Sequence, residues 1–272
     1  MSLKEQLADP YYLYLKNYVV RNCMEHDCNV SYLFEQSGKY QTLEKTPLDG
    51  ILAIGIFSDQ QIAQLLDISP NIVFVDSSPD ERRFDSVVLN FRLGVEQALD
   101  YLLYKGHRKS GFLGPPYNLD QKKRPALEAR RQYFIDYMKN AGLYDEHLII
   151  DTGLSAKDGS AQIRKWLEQK DHIPTALLAY NEESAITAVS NLREVGLRIP
   201  EDVSVISFND TPLSILTEPP LTSVTAHLEV MGEMAVKMLL DRLDDPQHLP
   251  YKIVLPPTLA VRDSVVDIPG EI

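Results

Sequence analysis

Short continuous runs of apolar residues alternate with amphipathic segments along almost the whole chain. Such runs are typical of strands that are covered on both faces of a sheet. They predict strands at Asn29–Phe34, Ile51–Phe57, Ile72–Asp76, Ser110–Leu113, Leu148–Asp151, Ala176–Tyr180 and Val203–Phe208. Because strands that alternate with helices favour parallel pairing through crossover helices, we expect an α/β fold built on parallel sheets.

The amphipathic segments carry apolar residues three and four positions apart, which is the spacing of one helix face. Three of the predicted helices end just before a glycine, and these are Leu93–Lys105, Leu127–Ala141 and Ser184–Val195. We therefore expect Gly106, Gly142 and Gly196 to be left-handed C-caps. The remaining predicted elements are the helices Tyr11–Met24 and Glu229–Leu243 and a last extended run, Tyr251–Leu255.

Polar residues follow three of the predicted strands at the point where each strand ends. Asp76 follows one strand, Asn181 and Glu182 follow a second, and Asn209 and Asp210 follow a third. In a parallel sheet the carboxyl ends of the strands are where ligands bind, and carboxylates and carboxamides suit the adjacent hydroxyls of a sugar. Helix N-capping is the alternative role for any one of them, whereas the set as a whole favours a pocket.

Length and charge narrow the possible functions. At 272 residues the chain exceeds what one hydrophobic core usually serves, so we expect two lobes. Its net charge of −12 argues against nucleic-acid binding by this chain itself, since that binding depends on Lys and Arg meeting phosphates. No apolar stretch approaches the ~20 residues of a membrane span. Met1–Glu5 lack the pattern of a signal peptide, so we expect neither membrane insertion nor secretion.

Patterns of common enzyme and metal sites are missing from the sequence. Cys23 and Cys28 flank His26, but on a helix the two thiols point about 140° apart, and a structural zinc site needs four ligands. There is no G-x-S-x-G, no P-loop and no G-x-G-x-x-G after a strand. We therefore expect no enzyme, no catalytic residue, no metal and no cofactor, and we interpret His107 as part of a helix-to-strand turn.

Several motifs in fixed order carry a resemblance to a known family. They are Asp9–Tyr12, Gly106–Lys109, Gly111–Gly114, Ala141–Leu143, Ile199–Asp210, Pro219–Val224 and Met231–Gly232. On these residues the chain resembles the effector-binding core of the lactose/galactose-repressor (LacI/GalR) family of transcriptional regulators. The run Ile199–Asp210 followed by Pro219–Val224 is the most specific part, and the resemblance covers essentially the whole chain.

The resemblance implies a periplasmic-binding-protein-like fold, in which two doubly wound parallel-sheet lobes are joined by three crossings and bind a small ligand in the cleft between them. We expect the N-terminal lobe to hold residues 1–89 and about 228–253, and the C-terminal lobe residues 90–227 and about 254–272. The family's helix-turn-helix DNA-binding domain is expected to be absent from this chain. A strand normally precedes Asp9, yet Met1–Ala8 shows no strand pattern, which predicts a weaker N-terminal lobe or a gap in its sheet.

The polar effector contacts of the family fall on Asp76, Arg130, Asn181 and Asn209. Arg130 comes from the resemblance alone, and an arginine there could donate hydrogen bonds to ring oxygens or hydroxyls. Asn209 stands where many sugar-binding members have aspartate. Asp210 either compensates as a ligand-binding residue or caps the chain locally.

Apolar and aromatic contacts of the family fall on four further positions. Tyr11 and Tyr12 lie where members have aromatic or apolar pocket residues, and we expect one of the two to belong to the core. Leu154 and Leu228 are candidates for the apolar wall, although some members have an aromatic lid at the position of Leu154. Phe91 also departs from the small acidic or polar residues that members often have at the start of this helix.

These expectations describe the sensing core of a cytoplasmic sugar-responsive repressor, of the kind that controls a galactose operon. Galactose or a β-galactoside is the expected effector, a second copy of the chain the expected partner, and operator DNA a partner only through the missing N-terminal domain. We expect no membrane partner. The alternatives are an extracytoplasmic sugar-binding protein of a transporter, which shares the fold, and a sugar-modifying enzyme.

Overall fold

A computed structural model describes residues 10–36, 39–42, 47–119, 125–152, 156–168, 173–245 and 247–268. The chain divides into two compact units. Unit 1 holds Met1–Leu89, Leu119–Pro125 and His227–Leu255, and unit 2 holds Asn90–Asn118, Ala126–Ala226 and Pro256–Ile272.

Strands and helices alternate along the chain. The strands are β1 (Leu33–Gln36), β2 (Lys39–Thr42), β3 (Ile51–Ile54), β4 (Ile72–Val75), β5 (Asp85–Leu89), β6 (Ser110–Gly114), β7 (Tyr117–Leu119), β8 (Pro125–Leu127), β9 (Ile149–Asp151), β10 (Ala176–Ala179), β11 (Ser204–Asn209), β12 (Thr222–Thr225), β13 (Lys252–Leu255) and β14 (Thr258–Ala260). The α-helices are α1 (Pro10–Glu25), α2 (Asp59–Leu66), α3 (Phe91–Tyr104), α4 (Ala129–Asn140), α5 (Ala156–Leu167), α6 (Glu182–Glu194), α7 (Leu213–Leu216) and α8 (Leu228–Asp244). A single 3₁₀ turn covers Glu146–Leu148.

Within its described residues, unit 1 contains a parallel sheet in the order β13-β5-β4-β3. Helices α1 and α8 pack closely, because Gly232 has no side chain: a Cβ there would lie 3.1 Å from the backbone nitrogen of Val19. Phe57, Phe74 and Phe84 belong to the core cluster of this unit.

Unit 2 contains a larger sheet in the order β14-β12-β11-β10-β6-β9, in which β14 alone runs antiparallel to its neighbour. Its strands are covered on both faces, since one core cluster includes residues of α5 and α6 and another includes residues of α3 and α4. The prediction of an α/β fold with parallel sheets is confirmed.

The predicted strand Asn29–Phe34 is wrong in its bounds and in its pairing. The observed strand, β1, begins at Leu33 and pairs antiparallel with β2 in a separate two-stranded sheet. Its residues do not suit a strand buried on both faces, because Phe34 is 46% exposed and Glu35 and Gln36 are polar.

Three strands of the two larger sheets, β5, β12 and β14, were not predicted. Of these, β5 and β12 begin with polar residues, Asp85 and Thr222, that are fully buried. Asp85 accepts hydrogen bonds from Nη1 of Arg242 at 2.9 Å and from the backbone nitrogen of Tyr251 at 2.8 Å. Oγ1 of Thr222 donates to the carbonyl oxygen of Arg262 at 3.2 Å and accepts a hydrogen bond from the backbone nitrogen of Arg262 at 2.9 Å. These partners are distant in sequence, so no local pattern indicates that the polar groups are satisfied inside.

The three predicted glycine caps are confirmed. Gly106, Gly142 and Gly196 have φ angles of 89°, 69° and 88°, in the left-handed region that favours glycine. Gly106 has a second constraint, because a Cβ there would lie 2.4 Å from the carbonyl oxygen of Ile268.

His107 lies in the turn between α3 and β6 and is fully buried. Its Nδ1 lies 3.0 Å from Oγ1 of Thr175, and its Nε2 lies 3.0 Å from the carbonyl oxygen of Val266. Burial lowers the pKa of the imidazole. The residue therefore joins this turn to the segment that follows β14, as its structural interpretation predicts.

Within the described ranges no helix is both long enough and apolar enough to cross a membrane.

Gly106 and Gly196 form a matched pair for testing how tightly the turn between α3 and β6 is packed. Their φ angles agree, but nothing lies within 4 Å of a Cβ at Gly196. Gly196→Ala should lower the free energy of unfolding by roughly 1–2 kcal/mol, the cost of a left-handed alanine. Gly106→Ala should cost roughly 1–3 kcal/mol more, because the methyl group meets the carbonyl oxygen of Ile268. Urea unfolding of both variants measures the difference, and equal losses would show that the turn is not tightly packed.

Candidate functional site

Asp76 follows β4 in unit 1 and receives hydrogen bonds from two tyrosines of α1. The hydroxyl of Tyr11 donates to Oδ1 at 3.0 Å, and the hydroxyl of Tyr12 donates to Oδ2 at 2.9 Å. Their rings pack edge to face with centroids 5.0 Å apart. Tyr11 is buried and Tyr12 is partly exposed, so Tyr11 is the tyrosine that belongs to the core. The structure thus brings three of the predicted residues together.

Three predicted polar residues have a left-handed backbone. The φ angles of Asp76, Asn209 and Asp210 are 69°, 97° and 55°. Asp and Asn tolerate this region better than other residues with a side chain, but it still costs free energy. Such conformations cluster at functional sites, where the surrounding structure maintains them. Here they lie at the carboxyl ends of the parallel strands β4 and β11.

Asn181 caps helix α6, which is the alternative role that the sequence left open. Its Oδ1 accepts a hydrogen bond from the backbone nitrogen of Ser184 at 3.0 Å, and the residue is 2% exposed. Asn209 is also buried, and its carbonyl oxygen accepts a hydrogen bond from the backbone nitrogen of Ala226 at 3.2 Å. Both amides therefore lie on backbone that other parts of unit 2 hold in place.

The carboxylate of Asp210 is engaged inside unit 2. Oγ1 of Thr225 donates to Oδ2 at 2.8 Å, and Nη1 of Arg262 lies 2.7 Å from Oδ1. The same Nη1 of Arg262 donates to the carbonyl oxygen of Leu221 at 2.6 Å. Asp210 thus ties the end of β11 to β12 and to the segment after β14, and its predicted contact with a ligand stays a prediction.

Arg130 lies in the first turn of α4 and forms an ion pair with a buried carboxylate. Its Nε donates to Oε1 of Glu128 at 2.8 Å, and its Nη1 donates to the carbonyl oxygen of Tyr180 at 2.7 Å. Oε2 of Glu128 accepts a hydrogen bond from the backbone nitrogen of Arg131 at 3.0 Å, so Glu128 is also the N-cap of the helix. Because Tyr180 precedes Asn181, these bonds bring Arg130 to the carboxyl end of β10.

Three aromatic rings surround the guanidinium of Arg130. Its central carbon lies 4.6 Å from the ring centroid of Phe91, 5.0 Å from that of Tyr180 and 5.6 Å from that of Phe208. Guanidinium groups stack favourably on aromatic faces. Phe91 is a residue type that departs from the family pattern at this position. Its ring therefore helps to hold the guanidinium of Arg130 in place.

Glu182 holds the loop that follows β11. Its carboxylate accepts hydrogen bonds from the backbone nitrogen of Thr211 at 2.8 Å, from Oγ1 of Thr211 at 2.6 Å and from Oγ of Ser214. Burial raises the pKa of Glu182 from 4.5 to about 7, although the three hydrogen bonds and the helix start favour the ionised form. The residue fixes the segment next to Asn209 and Asp210.

The remaining predicted positions give less information. Leu228 is buried as the first residue of α8, and Leu154 lies outside the described residues. In the part of the chain that the structure describes, no group of three or more His, Cys, Asp or Glu side chains could hold a metal ion.

The sequence did not indicate the residues that support this site, which are Glu128, Phe91, Tyr180 and Phe208. It also did not indicate that Glu182 would hold the loop after β11. Glu128 had one usable signal, since it comes immediately before a predicted helix face and two residues before the arginine. The aromatic set had none, because its members are far apart in sequence and meet only in the folded unit.

Comparisons with known proteins agree with a fold of parallel-sheet units. Residues 99–265 match the family described as a periplasmic binding protein-like domain. The HTH-type transcriptional repressor MelR of Bacillus subtilis (strain 168) is 30% identical over 269 residues, which are 97% of this chain and 76% of MelR.

Two similar solved structures contain sugars. The complex of the transcriptional regulator CelR with cellobiose has a TM-score of 0.77 and 24% identity, and the match covers 97% of this chain and 82% of that one. A LacI family transcriptional regulator from Enterococcus faecium with bound ribose has a TM-score of 0.77 and 21% identity, with 96% of each chain covered. At these identities the likeness shows the fold.

The raised pKa of Glu182 predicts a pH dependence of stability. Below pH 4.5 the carboxyl is protonated in both the folded and the unfolded chain, and its stabilising contribution is lost as the pH rises through about 7. Substitution by glutamine removes this loss, so E182Q should gain roughly 1–3 kcal/mol relative to the wild type between about pH 5 and about pH 8. Thermal unfolding of E182Q and of the wild type at about pH 5 and about pH 8 measures this stability difference.

The matched control is Glu201→Gln, since Glu201 is an exposed carboxylate of the same unit. Its stability should stay close to that of the wild type, because it removes an exposed charge. A stability difference between E182Q and the wild type that does not change with pH would contradict the role given to Glu182.

Proposed function

Because this chain belongs to the LacI/GalR-type family of transcriptional regulators, whose members are not enzymes, we propose that it senses a sugar and controls DNA binding in response. In this proposal, unit 1 and unit 2 are the two lobes of the effector-binding core. An effector can change DNA binding only through a difference in its affinity for two conformational states of the regulator.

The observation that carries the proposal is the set of polar groups at the carboxyl ends of the parallel strands. Asp76, with the hydroxyls of Tyr11 and Tyr12, would accept hydrogen bonds from sugar hydroxyls in unit 1. Arg130, Asn181 and Asn209 would supply donors and acceptors in unit 2. Hydrogen bonds to charged groups are worth roughly 1.5–3 kcal/mol each, so a few of them suffice for a specific small ligand.

The bound sugars of similar structures support a saccharide as the effector class. Cellobiose is a disaccharide and ribose a monosaccharide, and both are bound by proteins with this fold. For this chain we propose galactose or a β-galactoside as the first ligands to test, since the sequence motifs resemble the lactose/galactose-repressor family.

The partners and the location follow from the same family membership. We propose that the chain forms a homodimer in the cytoplasm and that operator DNA is bound by a helix-turn-helix domain of the kind that its HTH-type relatives have. Its net charge of −12 supports the expectation that this chain alone does not bind DNA. Light scattering of the purified chain tests the dimer.

A transporter-associated binding protein shares the fold, but the relatives favour a regulator. The protein that matches 97% of this chain at 30% identity is a transcriptional repressor. The chain's own sequence supports the same choice, because Gly106–Lys109 and Ile199–Asp210 resemble the motifs of the repressor family.

Isothermal titration against a sugar panel tests the effector class. Galactose, lactose, cellobiose and ribose are titrated beside nucleobases such as hypoxanthine and guanine. We expect one sugar to bind and the nucleobases to give no heat. Binding of a nucleobase with no response to any sugar would contradict the proposal.

Asp76→Asn tests the residue of unit 1 that matters most. The amide keeps the shape but loses the charge, so affinity for the bound sugar should fall roughly 10- to 100-fold. Asp67→Asn, at an exposed carboxylate after α2 of the same unit, is the matched control and should bind normally. Equal affinities for both variants would remove Asp76 from the binding site.

A further inference from the structure

Arg130 is the one cationic side chain among the predicted ligand-binding residues, and its charge is already balanced. The side chains of Arg130 and Glu128 are only 11% and 2% exposed, and Nε lies 2.8 Å from Oε1. Solvent therefore screens neither charge well. An anion that approaches Arg130 would therefore also meet the negative field of the adjacent Glu128 carboxylate.

The hydrogen bonds of the guanidinium also disfavour an anion. A phosphate or carboxylate is usually bound by two N–H groups on one edge of the guanidinium. Nε already donates to Glu128 and Nη1 already donates to the carbonyl oxygen of Tyr180. The edge that Nε shares with Nη2 is therefore already used in part. Single hydrogen bonds to hydroxyl or ring oxygens make no such demand.

A second arginine of unit 2 is also paired with a carboxylate. Nη1 of Arg262 lies 2.7 Å from Oδ1 of Asp210 and donates to the carbonyl oxygen of Leu221. Arg130 and Arg262 therefore each have a carboxylate of the same unit beside them.

The binding group of unit 1 is itself a carboxylate. Asp76 accepts hydrogen bonds from the neutral hydroxyls of Tyr11 and Tyr12. Sugar hydroxyls are further neutral donors for such a group, whereas a phosphate would add a like charge.

We propose that the effector is an uncharged saccharide and that the buried pair of Glu128 and Arg130 excludes its phosphorylated counterpart. This inference rests on the proposed function, because it specifies the charge of the ligand at the same site. Glu128 is in this account a positioning residue that also sets the charge preference of Arg130.

Isothermal titration with matched ligands tests the proposal on the whole chain. The neutral sugar that binds is compared with its phosphate ester at one primary hydroxyl and with its O-acetyl derivative at the same hydroxyl, which adds bulk there but no charge. We expect the phosphate to bind at least about tenfold more weakly than the acetyl derivative, because the charge is what the site rejects.

Glu128→Gln should reduce this discrimination. The amide keeps the acceptor for Nε of Arg130 but removes the negative charge, so the affinity ratio of acetyl to phosphate ligand should fall roughly tenfold. Glu201→Gln, which removes an exposed charge of the same unit, should leave the ratio unchanged. Circular dichroism checks the fold of each variant, and the wild-type ratio decides the proposal even where E128Q does not fold.

The outcomes separate this inference from the proposed function. Binding of the phosphate as tightly as the acetyl derivative, or more tightly, would overturn the charge preference while leaving a sugar-binding regulator. If the acetyl and phosphate groups lowered the affinity equally, the proposal would also be overturned, because the bulk of the substituent would then explain the selectivity. No binding of any sugar, neutral or phosphorylated, would instead overturn the proposed function.

Discussion

The parallel direction of the strands is the constraint on which the candidate site depends. In a parallel sheet the parallel strands end at the same edge, so residues that follow different strands of one sheet are brought close together. In the sheet of unit 2, Tyr180 and Asn181 follow β10 and Asn209 ends β11, whereas Asp76 follows β4 in the separate sheet of unit 1. All residues of β4 and β10 are apolar and buried, so polar side chains appear only where these two strands end.

Each polar group at these ends is held by a second group. Asp76 receives two tyrosine hydroxyls, Arg130 is held by Glu128 and by aromatic rings, and Glu182 holds the loop after β11. A site whose side chains are fixed before the ligand arrives loses less conformational freedom on binding. The left-handed backbone at Asp76 and Asn209 belongs to the same arrangement, since it is maintained by the surrounding structure.

Local patterns in the sequence predicted the helices and glycine caps well because those features depend on neighbouring residues. The prediction failed at Asn29–Phe34, where an apolar run forms half of a partly exposed hairpin, and at β5, whose Asp85 is satisfied by residues far along the chain. The same limit applies to the site. Asp76 and Asn209 could be found at strand ends, whereas Glu128 and Phe91 acquire their role only when the fold brings them to Arg130.

The central claim is that polar groups at the carboxyl ends of parallel strands bind an uncharged saccharide. A crystal structure of this chain with the tightest-binding sugar tests it most directly. The account predicts a ring hydroxyl or the ring oxygen within hydrogen-bond distance of the Arg130 guanidinium, with the ion pair to Glu128 intact. A sugar that does not contact Arg130 would contradict it.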